Sequence, residues 1–423
     1  MKVFKFGGAS VRDADAVRNM CRITLEQGAP PLVVIVSAMG KSTNALEELI
    51  NLNREGKPWE DSLKSFESFH LDIARSLFED PNHRIMDKIG NLMDELYEKL
   101  NSDHSNFEAY YDRVVCYGEL LSTAIVHGYL EAQGIPCTFL DARELIITDN
   151  TYREGKVRWL ETKKIIGERI LRADPSIFIT QGFIASNTKG NPVTLGREGS
   201  DFTAAIFAYC LEAETVTIWK DVPGILNADP HRWDQTVKYP SLSYAEAAEM
   251  TYYGATVIHP KTIRPLAVKK IPLIVKSFMD PVVEGTRIAD LHHPALEPAI
   301  IFKPDQCLIS FQVRDFTFIN ERKLSMIFHL FEEYNIKINM MQSSAISFSV
   351  CIDSPDRKMK VLINSLSGEF DILYNDHLEL ITIKNYQPEL VARLKKGKQI
   401  LLEQKSRKNY QMLTTTSYSS ILA

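Results

Sequence analysis

Short runs of β-branched and apolar residues recur through the first 280 residues, and most are followed by a turn and a helical stretch. Runs that are bounded by turn residues and separated by helices are typical of a largely parallel sheet with helices on both faces. This alternation predicts an α/β fold. The runs that we predict as strands are residues 2–6, 32–37, 137–140, 177–181, 215–219 and 273–276.

The pattern changes between residues 45 and 112, where apolar residues recur at helical spacing. We predict a helical insertion here. Two interpretations stay open: the insertion lies beside the active-site edge of the sheet, or it only packs against the sheet. The apolar residues that recur at helical spacing are Ile85, Ile89, Leu92, Met93, Leu96 and Leu100.

A chain of 423 residues is too long for one ordinary core, so we expect two or three domains. A proline cluster at 280–305 predicts a linker and divides the chain into domains 1–295 and 296–423. His292 and His293 are adjacent there, and their side chains would point to opposite faces of an extended segment, which disfavours a metal site. The prolines are Pro281, Pro294, Pro298 and Pro304.

Beyond this segment the sequence predicts a βαββαβ order, which is the ferredoxin-like motif. The predicted strands are 308–313, 336–341, 346–352 and 370–374, and the helices are 324–334 and 359–366. A strand at 378–383, a helix at 388–404 and a strand at 410–415 supply most of a second unit. The strand at 308–313 can belong to that second unit, which would make the two units interleaved.

The composition argues against several classes of protein. A net charge of −5 without a strongly basic half disfavours nucleic acid as the main partner. The six cysteines match neither a zinc site nor a disulfide framework, so we expect buried, reduced thiols. The N-terminus lacks the apolar stretch of a signal peptide, and the longest apolar run, 33–38, cannot span a bilayer. These features predict a cytoplasmic protein without a membrane partner.

The segment KFGGAS, residues 5–10, joins a predicted strand to a helix through Gly7 and Gly8. Glycine lets backbone N–H groups approach a phosphate, and Lys5 would add a positive charge for a phosphoryl group. An ordinary tight turn is the alternative. In VSAMGKSTN, residues 36–44, the hydroxyls of Ser37, Ser42 and Thr43 could contact a substrate, or one of the last two could cap the next helix.

The most informative stretch, residues 181–205, contains TLGREGSD. Gly196 and Gly199 flank Arg197 and would expose it in a crevice, where a guanidinium suits bidentate capture of a carboxylate. Asp201 stands at the start of an apolar helix, so it could instead be a cap. Glu119, in GELLS, has a functional interpretation only beside a cationic substrate group; otherwise it is an acid that suits a first helical turn.

These motifs resemble those of aspartokinases, within the amino-acid kinase superfamily. KFGGAS, VSAMGKSTN, GELLS, QGFIA, TLGREGSD, IWKDVPGI, ADP and YYGATVIHPKTI occur in the order seen in that family. The match covers essentially the whole chain, and no dehydrogenase-like part follows, so we expect a monofunctional member. The resemblance implies the amino-acid kinase fold followed by ACT-type regulatory units.

The resemblance also implies a reaction, the transfer of the ATP γ-phosphoryl group to the side-chain carboxylate of L-aspartate. The product would be 4-phospho-L-aspartate, on the route to lysine, threonine and methionine. Lys5 would contact the phosphoryl group, Asp201 would orient Lys5, Arg197 would hold the α-carboxylate, and Glu119 the α-ammonium. Further substrate contacts would come from Ser37, Thr43, Phe183, Gly199 and Ser200. The residues that would line the nucleotide site are Gly7, Gly8, Ala9, Ser10, Lys220, Asp221, Leu226, His231, Arg232, Thr256 and Val257.

Elementary chemistry agrees with this assignment. A side-chain carboxylate, with a pKa of about 3.9, is already ionised at neutral pH and needs no general base. Catalysis would consist of positioning and positive charge, supplied by Lys5, backbone N–H groups and a Mg²⁺ ion carried with ATP. His259, in IHPKT, is therefore expected to be structural.

Departures from the family's motifs fall on the nucleotide side. Ala9 stands where the family has threonine, Lys220 replaces the threonine of WTD, Leu226 replaces a tyrosine, and Thr256 replaces a lysine. The positions for aspartate, Glu119 and Arg197, match. We therefore hypothesise that Lys220 supplies a charge that Thr256 no longer supplies.

The ACT-type part implies an amino-acid effector and at least a homodimer. Asn339 stands where lysine-sensitive relatives have an aspartate, and Ser343 and Ser344 replace part of a Thr-Ser-Glu turn. An amide lacks the charge that strengthens a hydrogen bond to an ammonium group, so we expect weak lysine binding or a preference for a neutral amino acid. The alternative is that this segment is only a core strand.

Two other functions stay open at this point. One is a kinase of the same superfamily that acts on another acceptor, such as glutamate. The other is a catalytically inactive amino-acid sensor, which the presence of Lys5, Arg197 and Asp201 disfavours.

Overall fold

The computed structural model describes residues 1–174, 176–255, 258–291, 297–314, 317–354 and 358–415. The chain forms two compact units. The first comprises Met1–Ile225, Lys238–Ala248 and Thr256–Pro294, and the second comprises Leu226–Val237, Glu249–Ala255 and Ala295–Ala423. Two segments that the sequence prediction assigns to the first domain, 226–237 and 249–255, therefore pack with the second unit. None of the helices in the described ranges is long and apolar enough to cross a membrane.

The first unit contains eleven of the strands that the structure describes. They are β1 (Lys2–Phe6), β2 (Leu32–Val36), β3 (Cys137–Leu140), β4 (Ile147–Thr148), β5 (Ile177–Gln181), β6 (Ile184–Asn187), β7 (Pro192–Thr194), β8 (Thr215–Lys220), β9 (Ser241–Ser243), β10 (Leu273–Ser277) and β11 (Thr286–Ala289). Eight form a sheet in the order β3-β5-β2-β1-β8-β10-β11-β9, and β4, β6 and β7 form a small second sheet. Neighbours from β3 through to β10 are parallel. The central strands are buried along most of their length, as expected of parallel strands covered on both faces.

Eleven helices lie between residues 14 and 269 in the described part of the chain. They are α1 (Ala14–Gln27), α2 (Ser42–Arg54), α3 (Glu60–Leu77), α4 (Arg84–Leu100), α5 (Phe107–Val115), α6 (Tyr117–Ala132), α7 (Ala142–Leu145), α8 (Trp159–Ile170), α9 (Gly199–Leu211), α10 (Tyr244–Tyr253) and α11 (Pro260–Lys269), with a 3-10 turn at Gly8–Val11. Helices α6 and α9 are apolar on nearly every side and are buried, whereas α4 buries one stripe. The predicted insertion corresponds to α2 to α5. Its predicted stripe is buried except for Leu92, which is half-buried.

The second unit is built on one antiparallel sheet. Its elements are β12 (Ala299–Val313), α12 (Glu321–Glu333), β13 (Ile338–Ser343), β14 (Ser347–Asp353), α13 (Lys358–Leu366), β15 (Phe370–Lys384), α14 (Pro388–Lys395), β16 (Ile400–Lys405) and β17 (Asn409–Thr415). The strand order is β13-β14-β12-β15-β17-β16. The second part of β12 pairs with β14 and with the first part of β15, while its first part pairs with the end of β15. Both long strands therefore contribute to both halves of the sheet. The predicted fold class, a parallel α/β sheet followed by ACT-like units, is confirmed.

Three local predictions were wrong. The predicted helix at 388–404 is α14 followed by β16, because Gly397 adopts a positive φ of 76° and ends the helical path. The predicted strands at 370–374 and 378–383 are one strand, β15. The segment predicted as a linker contains β11 and the start of β12, while His292 and His293 lie outside the described residues. All six cysteines are unpaired, and Cys137 alone among them is only half-buried.

Candidate active site

Three predicted site residues meet at one edge of the parallel sheet. Lys5 lies near the end of β1, Lys220 ends the neighbouring strand β8, and Ser37 directly follows β2 on the other side. The carboxyl ends of adjacent parallel strands form a common edge, and ligands bind there in open α/β sheets. The sheet order alone therefore brings together residues that are far apart in the sequence.

A cavity of about 750 Å³ opens at this edge. Eleven of the predicted site residues line it: Lys5, Gly8, Ser37, Thr43, Glu119, Phe183, Arg197, Gly199, Ser200, Asp201 and Lys220. Its volume lies within the range that is usual for small-molecule sites.

At one end of the cavity, a buried carboxylate bridges two ammonium groups. Asp201 Oδ1 lies 2.6 Å from Lys5 Nζ, and Asp201 Oδ2 lies 3.5 Å from Lys220 Nζ. Burial alone would raise the pKa of Asp201, but the two lysines outweigh it and hold the pKa below its usual range. Asp201 therefore stays ionised. Two lysine ammonium groups thus contact the same carboxylate.

The glycine turn after β1 is pressed against the loop that follows β2. Gly40 N donates to Gly8 O at 3.1 Å, and a Cβ at Gly8 would lie only 2.8 Å from Gly40 O and 2.9 Å from Ala38 O. No side chain fits there. Gly8 is thus required for the two loops to close the floor of the cavity.

Glu119 is buried in the first turn of α6, with one oxygen unsatisfied. Its Oε1 accepts from Ala38 N at 3.3 Å, and its Oε2 has no hydrogen-bond partner among the described residues. Burial raises the pKa of Glu119 to about 8. Helix α6 can approach the loop after β2 because a Cβ at Gly118 would lie 3.1 Å from Ala38 Cβ. Glu119 lines the cavity, and a buried carboxyl oxygen without a partner is suited to an ammonium ligand.

Arg197 lies exposed just before α9, at the mouth of the cavity. The start of α9 is packed against Phe183, because a Cβ at Gly199 would lie 2.5 Å from the Phe183 ring. Phe183 itself has a positive φ of 66°, and its N–H donates to Thr203 Oγ1 at 3.0 Å. This packing fixes the loop that carries Arg197. Asp201 lies in the first turn of α9, where a carboxylate is favoured by the helix dipole.

The comparisons with known proteins agree with this geometry. The model of the amino acid kinase family matches residues 1–277, which is more than half of the chain. The chain belongs to this family.

Its relatives include several aspartokinases, and the predicted resemblance is confirmed. Lysine-sensitive aspartokinase 3 of Escherichia coli (strain K12) is 30% identical over 83% of this chain and 78% of that protein. The crystal structure of E. coli aspartokinase III in complex with aspartate and ADP has a TM-score of 0.83 and 26% identity, and the match covers 98% of this chain and 96% of that one.

Other relatives are much longer. The bifunctional aspartokinase/homoserine dehydrogenase 1 of Zea mays is 29% identical over 87% of this chain but only 41% of that protein. The chain thus spans about two fifths of the length of such relatives.

The helical insertion contributes residues to the lining of the cavity. Glu47 of α2 and Tyr111 of α5 line the cavity, so the insertion lies beside it. Neither residue was predicted as a site residue, because both stand within ordinary helical patterns. Seven more lining residues were not among the predicted site residues: Ala38, Gly40, Arg153, Glu154, Thr194, Gly196 and Glu198.

Neither hydroxyl residue caps α2. Lys41 occupies the N-cap position without a side-chain bond, and Ser42 Oγ donates instead to Met39 O at 2.6 Å. Thr43 faces the cavity. His259 is structural, as expected, because its Nδ1 accepts from Lys261 N at 3.2 Å and caps α11.

Several residues that the family resemblance assigns to the nucleotide lie away from the cavity. Ser10 is buried and donates from Oγ to Trp219 O, whereas Ala9 and Asp221 are exposed. Gly7 lies in the turn beside Lys5, where an added Cβ would lie 3.3 Å from Lys5 Nζ.

The remaining nucleotide-side residues lie in the second unit or outside the described ranges. Leu226, His231 and Arg232 belong to the second unit, and Arg232 forms a two-pronged ion pair with Glu379. The Arg232 guanidinium also lies 4.1 Å from the centre of the Phe302 ring. Thr256 and Val257 lie outside the described residues.

The predicted effector residues lie on β13 and the turn after it. Asn339 Oδ1 accepts from Lys303 Nζ at 2.9 Å, while Asn339 Nδ2 donates to Gln306 Oε1 and to Asp353 Oδ1. The exposed turn is closed by its own hydroxyls, because Ser344 Oγ lies 2.7 Å from Ser347 Oγ and Ser343 Oγ donates to Ser344 O.

Proposed function

We propose that this chain is an aspartate kinase, which transfers the γ-phosphoryl group of ATP to the side-chain carboxylate of L-aspartate and forms 4-phospho-L-aspartate. One observation carries the proposal. A single cavity holds groups that suit an amino acid, Glu119 and Arg197, and a positively charged centre that suits a phosphoryl group, made by Lys5, Asp201 and Lys220.

The acceptor is held by charge complementarity. Glu119 binds the α-ammonium through the oxygen that the protein leaves unsatisfied, and Arg197 binds the α-carboxylate with its planar pair of donors. Ser37, Thr43 and Phe183 complete the walls around the amino acid. The side-chain carboxylate is the nucleophile and is already ionised at neutral pH, so no general base is required.

Phosphoryl transfer then depends on positively charged side chains that the fold holds in place before the substrates bind. Lys5 neutralises the oxygens of the γ-phosphoryl group as the acceptor carboxylate approaches, and Asp201 keeps the ammonium group in place at 2.6 Å. Lys220 supplies a second positive charge from the neighbouring strand, since it contacts the other oxygen of Asp201. This supports the hypothesis that Lys220 compensates for the lysine that Thr256 replaces.

The nucleotide is proposed to enter beside Gly7, Gly8, Lys220 and Asp221. ATP is the expected donor, and Mg²⁺ is expected to arrive with it. Among the residues that the structure describes, no group of three or more His, Cys, Asp or Glu side chains could hold a metal ion. Asp201 is paired with Lys5 and Lys220.

A coupled assay of ADP formation tests the proposal. L-aspartate should support turnover, while L-glutamate, N-acetylglutamate and UMP should support little or none. ADP formation that is faster with glutamate than with aspartate would make the chain a kinase for a different acceptor. The absence of any aspartate-dependent ADP formation, together with binding of a small amino acid, would make it a sensor.

We further propose that the second unit binds a small amino acid and that the chain forms at least a homodimer through it. The ACT-like sheet supports this, as does the similarity to the lysine-sensitive aspartokinase 3 of E. coli. Asn339, Ser343 and Ser344 remain the proposed effector residues. Calorimetry with lysine and threonine, and sedimentation of the full chain, are the tests.

A further inference from the structure

The acceptor end of the cavity contains a second guanidinium group, that of Arg153, which no motif singled out. Arg153 lies in the loop between β4 and α8 and lines the same cavity as Arg197 and Glu119. Its backbone has a positive φ of 62°, which is uncommon for a residue with a side chain and persists only where the surroundings impose it.

A buried carboxylate imposes this conformation. Asp112, at the end of the helical insertion, is fully buried. Its Oδ2 accepts from Arg153 N at 2.8 Å, and its Oδ1 accepts from Thr194 Oγ1 at 2.7 Å. Gly155 N donates to Thr194 O at 2.9 Å and fixes the loop again two residues further along. The loop is thus attached to the wall of the cavity at the residue whose side chain enters it.

The guanidinium group of Arg153 stacks on an aromatic ring. Its central carbon lies 4.1 Å from the centre of the Tyr111 ring, and Tyr111 OH donates to Glu47 Oε1 at 2.6 Å. Stacking on a ring face leaves the edge of a guanidinium available for hydrogen bonds in its plane. Arg153 also pairs with Glu108 at 3.4 Å, but both side chains are about half exposed, so water competes with this contact.

The loop that carries Arg153 lies beside the loop that carries Arg197. A Cβ at Gly196 would lie 3.1 Å from Arg153 O, so the two arginine-bearing loops touch directly before Arg197. Lys5 and Lys220, which the proposed function places at the phosphoryl group, pair with Asp201. A carboxylate bound by the two guanidinium groups would be the one that these lysines do not contact.

We propose that Arg153 and Arg197 together bind the α-carboxylate of the amino-acid substrate, so that only the side-chain carboxylate is presented to the phosphoryl group. This inference rests on the proposed function for the identity of the substrate. Arg197 is exposed, and a single exposed arginine binds a carboxylate weakly against water. A second, pre-positioned arginine adds charge-assisted hydrogen bonds at little further loss of conformational freedom.

Binding calorimetry on the full chain tests the proposal without turnover. The variants are Arg153→Ala and Arg153→Gln, with Arg158→Ala as the matched control. Arg158 stands on the same loop, pairs with Glu161 at 2.8 Å and does not line the cavity. The probes are L-aspartate, L-asparagine, which keeps the α-carboxylate, and the α-amide of aspartate, which lacks it.

We expect both Arg153 variants to weaken aspartate and asparagine binding by about tenfold or more, the loss of a charge-assisted hydrogen bond. Binding of the α-amide should change by less than about twofold, and Arg158→Ala should match the wild type for every probe. In turnover, the aspartate KM should rise while the ATP KM stays unchanged.

Other outcomes overturn the proposal. Unchanged aspartate affinity in both Arg153 variants removes Arg153 from the site. Equal losses for aspartate and the α-amide, with asparagine unaffected, place Arg153 on the side-chain carboxylate instead. Equal losses for all three probes show a structural effect. A wild-type chain that binds aspartate but forms no ADP refutes the proposed function and leaves this test standing, whereas one that binds no aspartate refutes both.

Discussion

Two polar clusters, one in each unit, contain similar residues but differ in whether their polar groups are paired with one another. In the first unit, Glu119 Oε2 is buried without a hydrogen-bond partner among the described residues, and Arg197 lies exposed at the cavity mouth. In the second unit, Lys303, Asn339 and Asp353 bind one another, with Lys303 Nζ 2.6 Å from Asp353 Oδ1. A cluster that satisfies itself stabilises the fold, whereas one with unsatisfied groups is prepared for a ligand.

The pKa values follow the same division. In the first unit, burial raises the pKa of Glu119 to about 8, and no cation of the protein offsets it fully. In the second unit, burial also acts to raise the pKa of Asp353, but hydrogen bonds from Lys303 and Gln306 hold it below its usual range. Lys303 Nζ thus already contacts the two oxygens, Asp353 Oδ1 and Asn339 Oδ1, in this cluster.

The largest expected effect comes from removing the charge at the phosphoryl end. Lys5→Ala should lower kcat by about 100- to 1,000-fold, comparable with the loss of an oxyanion-hole donor. Aspartate affinity should survive, because Glu119 and Arg197 make that contact. Steady-state kinetics and calorimetry measure the two quantities. Lys2→Ala, at the other end of the same strand, is the control, and near-normal turnover of Lys5→Ala would remove Lys5 from its assigned role.

The next effect concerns recognition of the acceptor. Arg197→Lys should raise the aspartate KM by about tenfold, because a point charge cannot make a bidentate contact, and Glu119→Gln should do the same by removing the charge that meets the ammonium. Kinetics at saturating ATP measure this. Glu212→Gln, an exposed glutamate paired with Lys269, is the control. Variants that bind aspartate normally but lose ATP would show that the two ends of the cavity were reversed.

A smaller effect is a proton released on binding. Glu119 in the empty site is largely protonated below a pH of about 8, and an arriving ammonium group would lower its pKa. Calorimetry of aspartate binding at pH 7, in buffers with different ionisation enthalpies, should therefore show release of up to one proton. The release should fade above pH 8 and vanish in Glu119→Gln; its persistence in that variant would assign the proton to another group.

The same pKa has a consequence for stability. Glu119 ionises in the unfolded chain near its ordinary pKa of about 4.3 but in the folded chain only near 8. The unfolded state therefore binds fewer protons between these values, and the contribution of Glu119 to stability, complete below about pH 4, is lost as the pH rises to 8. Glu119→Gln should flatten this dependence in urea-unfolding titrations.

The smallest effect is expected in the second cluster. Asn339→Ala should lower the free energy of unfolding by about 1–2 kcal/mol, because buried Gln306 loses a hydrogen bond, and should leave the aspartate KM unchanged. Urea unfolding and kinetics are the measurements, with exposed Ser344→Ala as the comparison. Tight lysine binding that survives Asn339→Ala would show that the effector site lies elsewhere.

The sequence predicted the parallel sheet well, because strands buried on both faces read as continuous apolar runs such as β2 and β5. It also placed Glu119, Arg197 and nine other residues in one candidate site, and the structure brings them together around one cavity. Contacts between distant residues could not be predicted. The pairing of Arg232, predicted to contact the nucleotide, with Glu379, 147 residues away, has no sequence signal. Arg153 was missed because its position depends on Asp112, 41 residues earlier.

The helix predicted at 388–404 failed for a local reason. The apolar residues of β16 continue a spacing that also fits a helix, and only the left-handed conformation at Gly397 separates the two elements. Short apolar runs of this kind are ambiguous by periodicity alone.

The contribution of segment 226–237 to the second unit limits how the chain can be dissected. Asn227 Nδ2 donates to Pro298 O, Ile300 N donates to Asn227 O at 2.7 Å, and Arg232 is paired with Glu379. A truncation at residue 295 would remove all of these partners and leave a buried asparagine and a charged arginine without them. The second unit is thus not a detachable module: a shortened gene is expected to yield an unstable polypeptide, and evolution could exchange this unit only together with this loop.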